Sequence, residues 1–118
     1  MNSKTNIFKS LEAAYKAIDD KFGKDISVLD ISEISSMGNY FIITTGSNPN
    51  QLRAIADNVQ EELFKLGFKL NHSEGYNGSS WVLLDFGDII VHIFDKENRE
   101  FYNLDRVWGD AGKVHLDI

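Results

Sequence analysis

Cysteine is absent from the 118 residues, and proline occurs once, at Pro49. Without thiols there can be neither disulfides nor a thiolate metal site, as suits a reducing compartment. No segment has the composition of a linker, repeat or low-complexity tract. No run of about eighteen apolar residues occurs, and Met1 to Lys9 lacks an apolar signal region, so the expectation is a soluble cytoplasmic protein with no membrane contact. His72, His92 and His115 form no pair at metal-ligand spacing. There is no Gly-x-Ser-x-Gly elbow and no phosphate-loop motif.

What is present reads as one ordinary globular domain, with 42% hydrophobic and 25% charged residues. A chain of this size buries roughly two thirds of the surface its unfolded form exposes, enough for one core. Net charge is −6. Residues 1–60 carry six basic and seven acidic side chains, and residues 61–118 six basic and eleven acidic ones, so the excess is C-terminal. Such a surface repels phosphate backbones, which disfavours direct nucleic-acid binding as the main role, and it steers a basic protein partner.

Hydrophobic spacing predicts the elements. Ile7, Leu11, Ala14, Tyr15, Ile18 and Phe22 form one stripe of a helix over 5–22, with Gly23 as its stop. Strands follow at 26–31 and 40–45, separated by a loop at Ser35–Asn39. Asn48 and Pro49 open a helix over 50–66 whose face holds Leu52, Ile55, Ala56, Val59, Leu63 and Leu66, and Gly67 closes it. A short edge strand is expected at Phe68–His72 and a polar loop at Glu74–Ser80. Then Val82–Leu84 and Ile89–Phe94 flank Phe86-Gly87-Asp88 as a β-hairpin, and their near-continuous hydrophobicity predicts cover on both faces. A third helix over 97–108 puts Phe101, Leu104, Val107 and Trp108 on one side, and residues 109–118 read as a frayed tail. The sum is an α/β (mixed α+β) fold: one mixed sheet of about five strands flanked by helices.

Polar and aromatic residues in and beside the hairpin carry the candidate chemistry. His92 sits among apolar neighbours and reads as a hydrogen-bonded core histidine rather than a ligand. Asp85 and Asp88 flank a turn and could share a divalent cation, which makes a metal-dependent nucleotidyl or phosphoryl transferase the enzyme reading. Gly46-Ser47 after a strand is a faint likeness to nucleotidyltransferases, but Asn48-Pro49-Asn50-Gln51 stands where their metal-binding acids should follow. The structural reading of the two acids is turn capping and solvation. Trp81 and Phe86 bracket the first hairpin strand beside these acids, either as core rings or as an exposed aromatic patch selecting a basic partner. A third reading uses the same hydrophobic edge for self-association, giving a homodimer when free.

Taken together, Tyr40 to Ser47, Gln51, Ala54 to Val59, Glu74-Gly75, Trp81 to Phe94 and Arg99 to Ala111 resemble the ribosomal silencing factor (RsfS, Iojap-like) family. The pattern Trp-x-x-x-Asp-x-Gly-Asp-x-x-Val-His, followed by Tyr-x-Leu-x-x-x-Trp, carries the resemblance, which covers about residues 7–111 and leaves 112–118 as a tail. It implies a nucleotidyltransferase-like fold without that chemistry, hence no enzyme and no cofactor. It also implies a factor that binds the large ribosomal subunit through large-subunit ribosomal protein fourteen and blocks small-subunit joining when nutrients are scarce. Carried over by residue, the partner surface falls on Trp81, Asp85, Phe86, Gly87 and Asp88, with Tyr102 beside them. Asn39 precedes Tyr40 where an acidic residue is common in the family, so that acid is missing here.

Overall fold

A computed structural model describes residues 3–34, 39–78, 80–109, 112–114 and 116. Most of the loop expected at Ser35–Asn39 lies outside these residues, as does His115. The elements are α1 (Ser3–Asp20), β1 (Lys24–Asp30), β2 (Tyr40–Gly46), α2 (Pro49–Lys65), β3 (His72–Glu74), β4 (Trp81–Asp85), β5 (Ile89–Asp95), α3 (Lys96–Tyr102), α4 (Leu104–Val107) and β6 (Gly112–Lys113). They form a mixed α+β domain around one six-stranded sheet ordered β3-β4-β5-β2-β1-β6. The β2–β5 pair is parallel, Tyr40 opposite Ile89 through Gly46 opposite Asp95, and every other pair is antiparallel.

Two apolar layers sandwich the sheet. On one face α1 and α2 bury Leu11, Ala14, Ile18, Leu52, Ile55 and Leu63 against Val28, Ile42, Val82, Leu84, Val91 and Ile93. On the other, Leu29, Phe41, Ile43, Ile90 and Phe94 pack with Leu104 and Trp108. β2 and β5 are therefore buried along almost their whole length. β4 is not, because burial alternates along Trp81–Asp85. The expectation of cover on both faces thus holds for the second hairpin strand and fails for the first. The short α3 packs on β5 and β2 and leaves the outer side of β4 half open.

Four further readings change. The sheet has six strands, because Gly112–Lys113, expected in the tail, pairs with Asp30 and Leu29 of β1. The edge strand begins at His72 rather than Phe68. The Phe68 N–H is taken by the Leu63 carbonyl in the α2 C-cap, and Phe68 and Leu70 pack on the core as a run-in. Leu66 is the α2 C-cap, 46% exposed, and not part of the buried stripe. The helix over 97–108 is two short helices, because Asn103 adopts left-handed φ 46 and donates to the Arg99 carbonyl. Asparagine tolerates that conformation, and the break turns Phe101 and Val107, expected to pack, out to 77% and 67% exposure.

The α1 terminus shows why local sequence misleads. Gly23 is not the left-handed residue; Phe22 is, at φ 65, and its side chain is 79% exposed. Gly23 is small for a different reason: a Cβ there would collide with Ile18 Cγ2 and stand 2.9 Å from Thr44 Oγ1, where the helix end meets β2. Phe22→Gly is expected to raise the unfolding free energy by about 1 kcal/mol, since a left-handed conformation costs a side-chain-bearing residue about that much. Urea denaturation measures it, and an unchanged midpoint would mean the exposed ring contributes as much as the strain costs.

Candidate functional site

The half-open face of β4 gathers the aromatic candidates. Trp81, Leu83 and Asp85 point to this side and Val82 and Leu84 to the core, as the two-residue period of a strand requires. Trp81 stands opposite Phe94 on β5 and stacks on it at 4.9 Å between ring centroids, 29° between planes. Tyr102, from the last turn of α3, lies 4.7 Å from Trp81, and Phe101 meets Tyr102 edge-on at 5.0 Å. Offset and edge-on rings at these separations attract beyond their buried area. Together they form an apolar strip in which Trp81 is half-buried, Tyr102 is 41% exposed and Phe101 is mostly exposed.

His92 fixes the tryptophan. It is buried, and its Nδ1 accepts a 3.2 Å hydrogen bond from the Trp81 indole N–H. Phe41 contacts the imidazole edge-on at 4.7 Å. Burial pushes its pKa down from the usual 6.5 to about 4, so the ring is neutral at physiological pH. Because Nδ1 is the acceptor, the proton resides on Nε2, an atom that is buried with no hydrogen-bond partner among the described residues.

The backbone leading into Trp81 is also constrained. Gly75, at φ 79, leaves no room for a side chain, since a Cβ there would run into the Trp81 carbonyl oxygen. Tyr76 ties the same loop to α2 through a 3.0 Å hydrogen bond to Asp57. At the far end of β4, Asp85 Oδ1 accepts the Gly87 N–H at 2.8 Å, and Gly87 takes φ 91. The Asp88 carbonyl accepts the N–H groups of both Asn39 and Tyr40, and its carboxylate accepts the Asn39 amide at 3.0 Å. An acid at position 39 would set two carboxylates against each other, so the asparagine suits this turn.

The sequence-predicted residues thus fall into three places. Trp81 and Tyr102 are together on the strip. Asp85, Gly87 and Asp88 lie at the other end of the strand, about 13 Å away at 3.3 Å per residue. Phe86, expected beside them as an exposed ring, is instead only 7% exposed and belongs to the core under α1 and α2. Its N–H bonds the Ile89 carbonyl to close the turn, and the two-residue period of β4 carries its side chain inward after Val82 and Leu84. Leu83 and Phe101 are functional candidates that sequence reasoning missed. The period that puts Trp81 and Asp85 on one face puts Leu83 between them, a legible signal; Phe101 depends on the helix break at Asn103.

A second polar constellation braces this side of the sheet. Arg99 of α3 donates to Ser27 of β1, Thr45 of β2 and both carboxylate oxygens of Asp105 in α4, at 3.0–3.3 Å. Burial pushes the Asp105 carboxyl up, but hydrogen bonds from Ser27 and Arg99 and the Arg99 charge outweigh it and hold the pKa below the usual value.

The chain matches the family model described as "Ribosomal silencing factor during starvation" over residues 4–118. It is 40% identical over 108 residues to ribosomal silencing factor RsfS of Bacillus subtilis, covering 92% of each chain. It is 35% identical to the chloroplastic protein Iojap of Arabidopsis thaliana, covering 91% of this chain and 44% of that one. A crystal structure of a protein from Chromobacterium violaceum superposes with TM-score 0.83 at 34% identity, covering 93% of this chain and 91% of the other. One from Bacillus halodurans gives 0.78 at 35%, covering 90% and 96%.

The His92 geometry predicts a pH dependence. The folded-state pKa lies below the unfolded value, so the unfolded chain binds the extra proton first, and stability falls as pH drops from about 6.5 towards about 4. The loss attributable to this group is about 2–3 kcal/mol. His92→Asn, whose amide oxygen can still accept from the indole, should flatten that part of the urea-denaturation pH profile; an unchanged slope would mean that other groups cause it.

Proposed function

The chain belongs to the ribosomal silencing factor family, and on that premise we propose that it acts in the cytoplasm by binding the large ribosomal subunit through large-subunit ribosomal protein fourteen. Bound there, it excludes the small subunit sterically and lowers translation when nutrients are limiting. No catalytic step is required, and the extent of repression follows occupancy.

The observation that supports this reading is the half-open strip on β4 and α3. Trp81, Leu83, Phe101 and Tyr102 present contiguous rings and an apolar side chain on an otherwise acidic molecule, as the desolvated centre of an interface does. Asp85 and Asp88, on a turn shaped by Gly87, supply negative charge at one end of the strand. Together with the net charge of −6 they attract a basic ribosomal protein before contact. Trp81 is held in one rotamer by His92 and Phe94, so little side-chain freedom is lost on binding. No observation favours the transferase reading, because the Asp85 and Asp88 carboxylates both accept protein hydrogen bonds that hold the hairpin end.

Co-sedimentation with isolated ribosomal subunits tests the proposal. The wild-type chain should pellet with the large subunit and not the small one. Trp81→Ala/Tyr102→Ala should weaken binding by about 30-fold, the loss of one good interface anchor, with the fold checked by thermal melting. Asp88→Lys should slow association and reduce its salt dependence. Phe86→Ala is not a clean probe, because truncating a buried phenylalanine costs about 3–5 kcal/mol of stability. Full large-subunit binding by a folded double variant would overturn the surface assignment.

A further inference from the structure

The central parallel pair creates a second feature that the aromatic strip does not use. β2 leaves the sheet towards α2 on one face, while its parallel neighbour β5 leaves towards α3 on the other. Chains that part in this way open a crevice beyond the carboxyl ends of the two strands, where open α/β sheets take their ligands. In this protein the crevice is a cavity of about 440 Å³ lined by Lys24, Asp25, Ser47, Lys96, Arg99 and Glu100, together with the end of β2. That size lies within the roughly 300–1,000 Å³ typical of small-molecule sites.

The lining has a definite chemistry. Lys24, Lys96 and Arg99 line it beside the carboxylates of Asp25 and Glu100, although the chain as a whole is acidic. Lys24 and Lys96 are exposed, and neither is in an ion pair among the described residues. Arg99 is held rigidly, its side chain 14% exposed, by four hydrogen bonds to Ser27, Thr45 and Asp105. A guanidinium has about five N–H donors, so one on Nη1 is left over. Asp25 and Glu100 add two carboxylates, acceptors suited to the hydroxyl groups of a ligand.

The backbone at the rim departs from regular structure. Pairing of β1 with β2 skips from Lys24 opposite Thr45 to Ser27 opposite Ile43, a one-residue bulge. Within it Asp25 takes left-handed φ 51. Bulges and such conformations concentrate beside binding sites, where they re-aim side chains. A straight strand would move Asp25 and Lys24 relative to the crevice.

We propose that this crevice binds a small phosphorylated molecule that also carries hydroxyl groups, for which ATP serves as the probe. Its phosphate meets Lys24, Lys96 and the remaining Arg99 N–H, and its hydroxyls meet Asp25 and Glu100. The site is separate from the strip on β4 and stands whether or not the chain binds a ribosome.

An amide-resolved NMR titration of the full chain with ATP, at constant ionic strength and without divalent cation, tests this. Saturable shifts are expected at Lys24, Asp25, Ser47, Lys96 and Arg99. Lys24→Ala/Lys96→Ala should weaken the affinity by about tenfold or more. Lys9→Ala/Lys16→Ala on α1, with the same change in charge, should leave it unaltered. Adenosine should bind far more weakly than ATP. The proposal is overturned by the absence of saturable shifts by about 1 mM, by equal losses in the two double variants, or by adenosine binding as well as ATP.

Discussion

The structure depends on the parallel pairing of β2 with β5. Both strands are buried on both sides, and a strand with two apolar faces is stable only between two covering layers. The chain supplies those layers unequally. α1 and α2, with 18 and 17 residues, cover one face fully, whereas α3 and α4, with seven and four, cover only the middle of the other. Unequal cover leaves Trp81 and Leu83 half exposed, and the divergence of the chain after the two strands opens the crevice among the start of β1, the end of β2 and α3.

Arg99 compensates for the thin layer. A seven-residue helix has little packing area of its own, yet this one side chain bonds residues of β1, β2 and α4. The guanidinium's fixed fork makes that cross-bracing specific in a way lysine could not match. The aromatic strip is placed partly by this brace, because Tyr102 sits three residues further along the same helix.

Much of this was legible in the sequence because it is periodic. The α2 stripe from Leu52 to Leu63, with Asn48 and Pro49 at its start, follows from spacing and cap chemistry, and the structure reproduces both. The hairpin around Gly87 is equally plain. What was not legible depends on contacts distant in sequence. Nothing local tells that Gly112 and Lys113 find β1. Asn103 is the instructive case: a continuous apolar stripe predicts one helix, and a single left-handed residue redistributes its side chains between core and surface.

The long reach of the central pair also orders events in time. Tyr40 meets Ile89, so nothing resembling the finished sheet can form until the chain has been made to the end of β5. During synthesis the first half can assemble α1, the antiparallel β1–β2 pair and α2, but its inner strand edge then stands unpaired. The face that carries Trp81, together with the short helices that build its border, forms after α1, α2 and the β1–β2 pair. A nascent chain therefore lacks this surface until residues through α4 have been made, and the surface becomes available only once both short helices have left the ribosome.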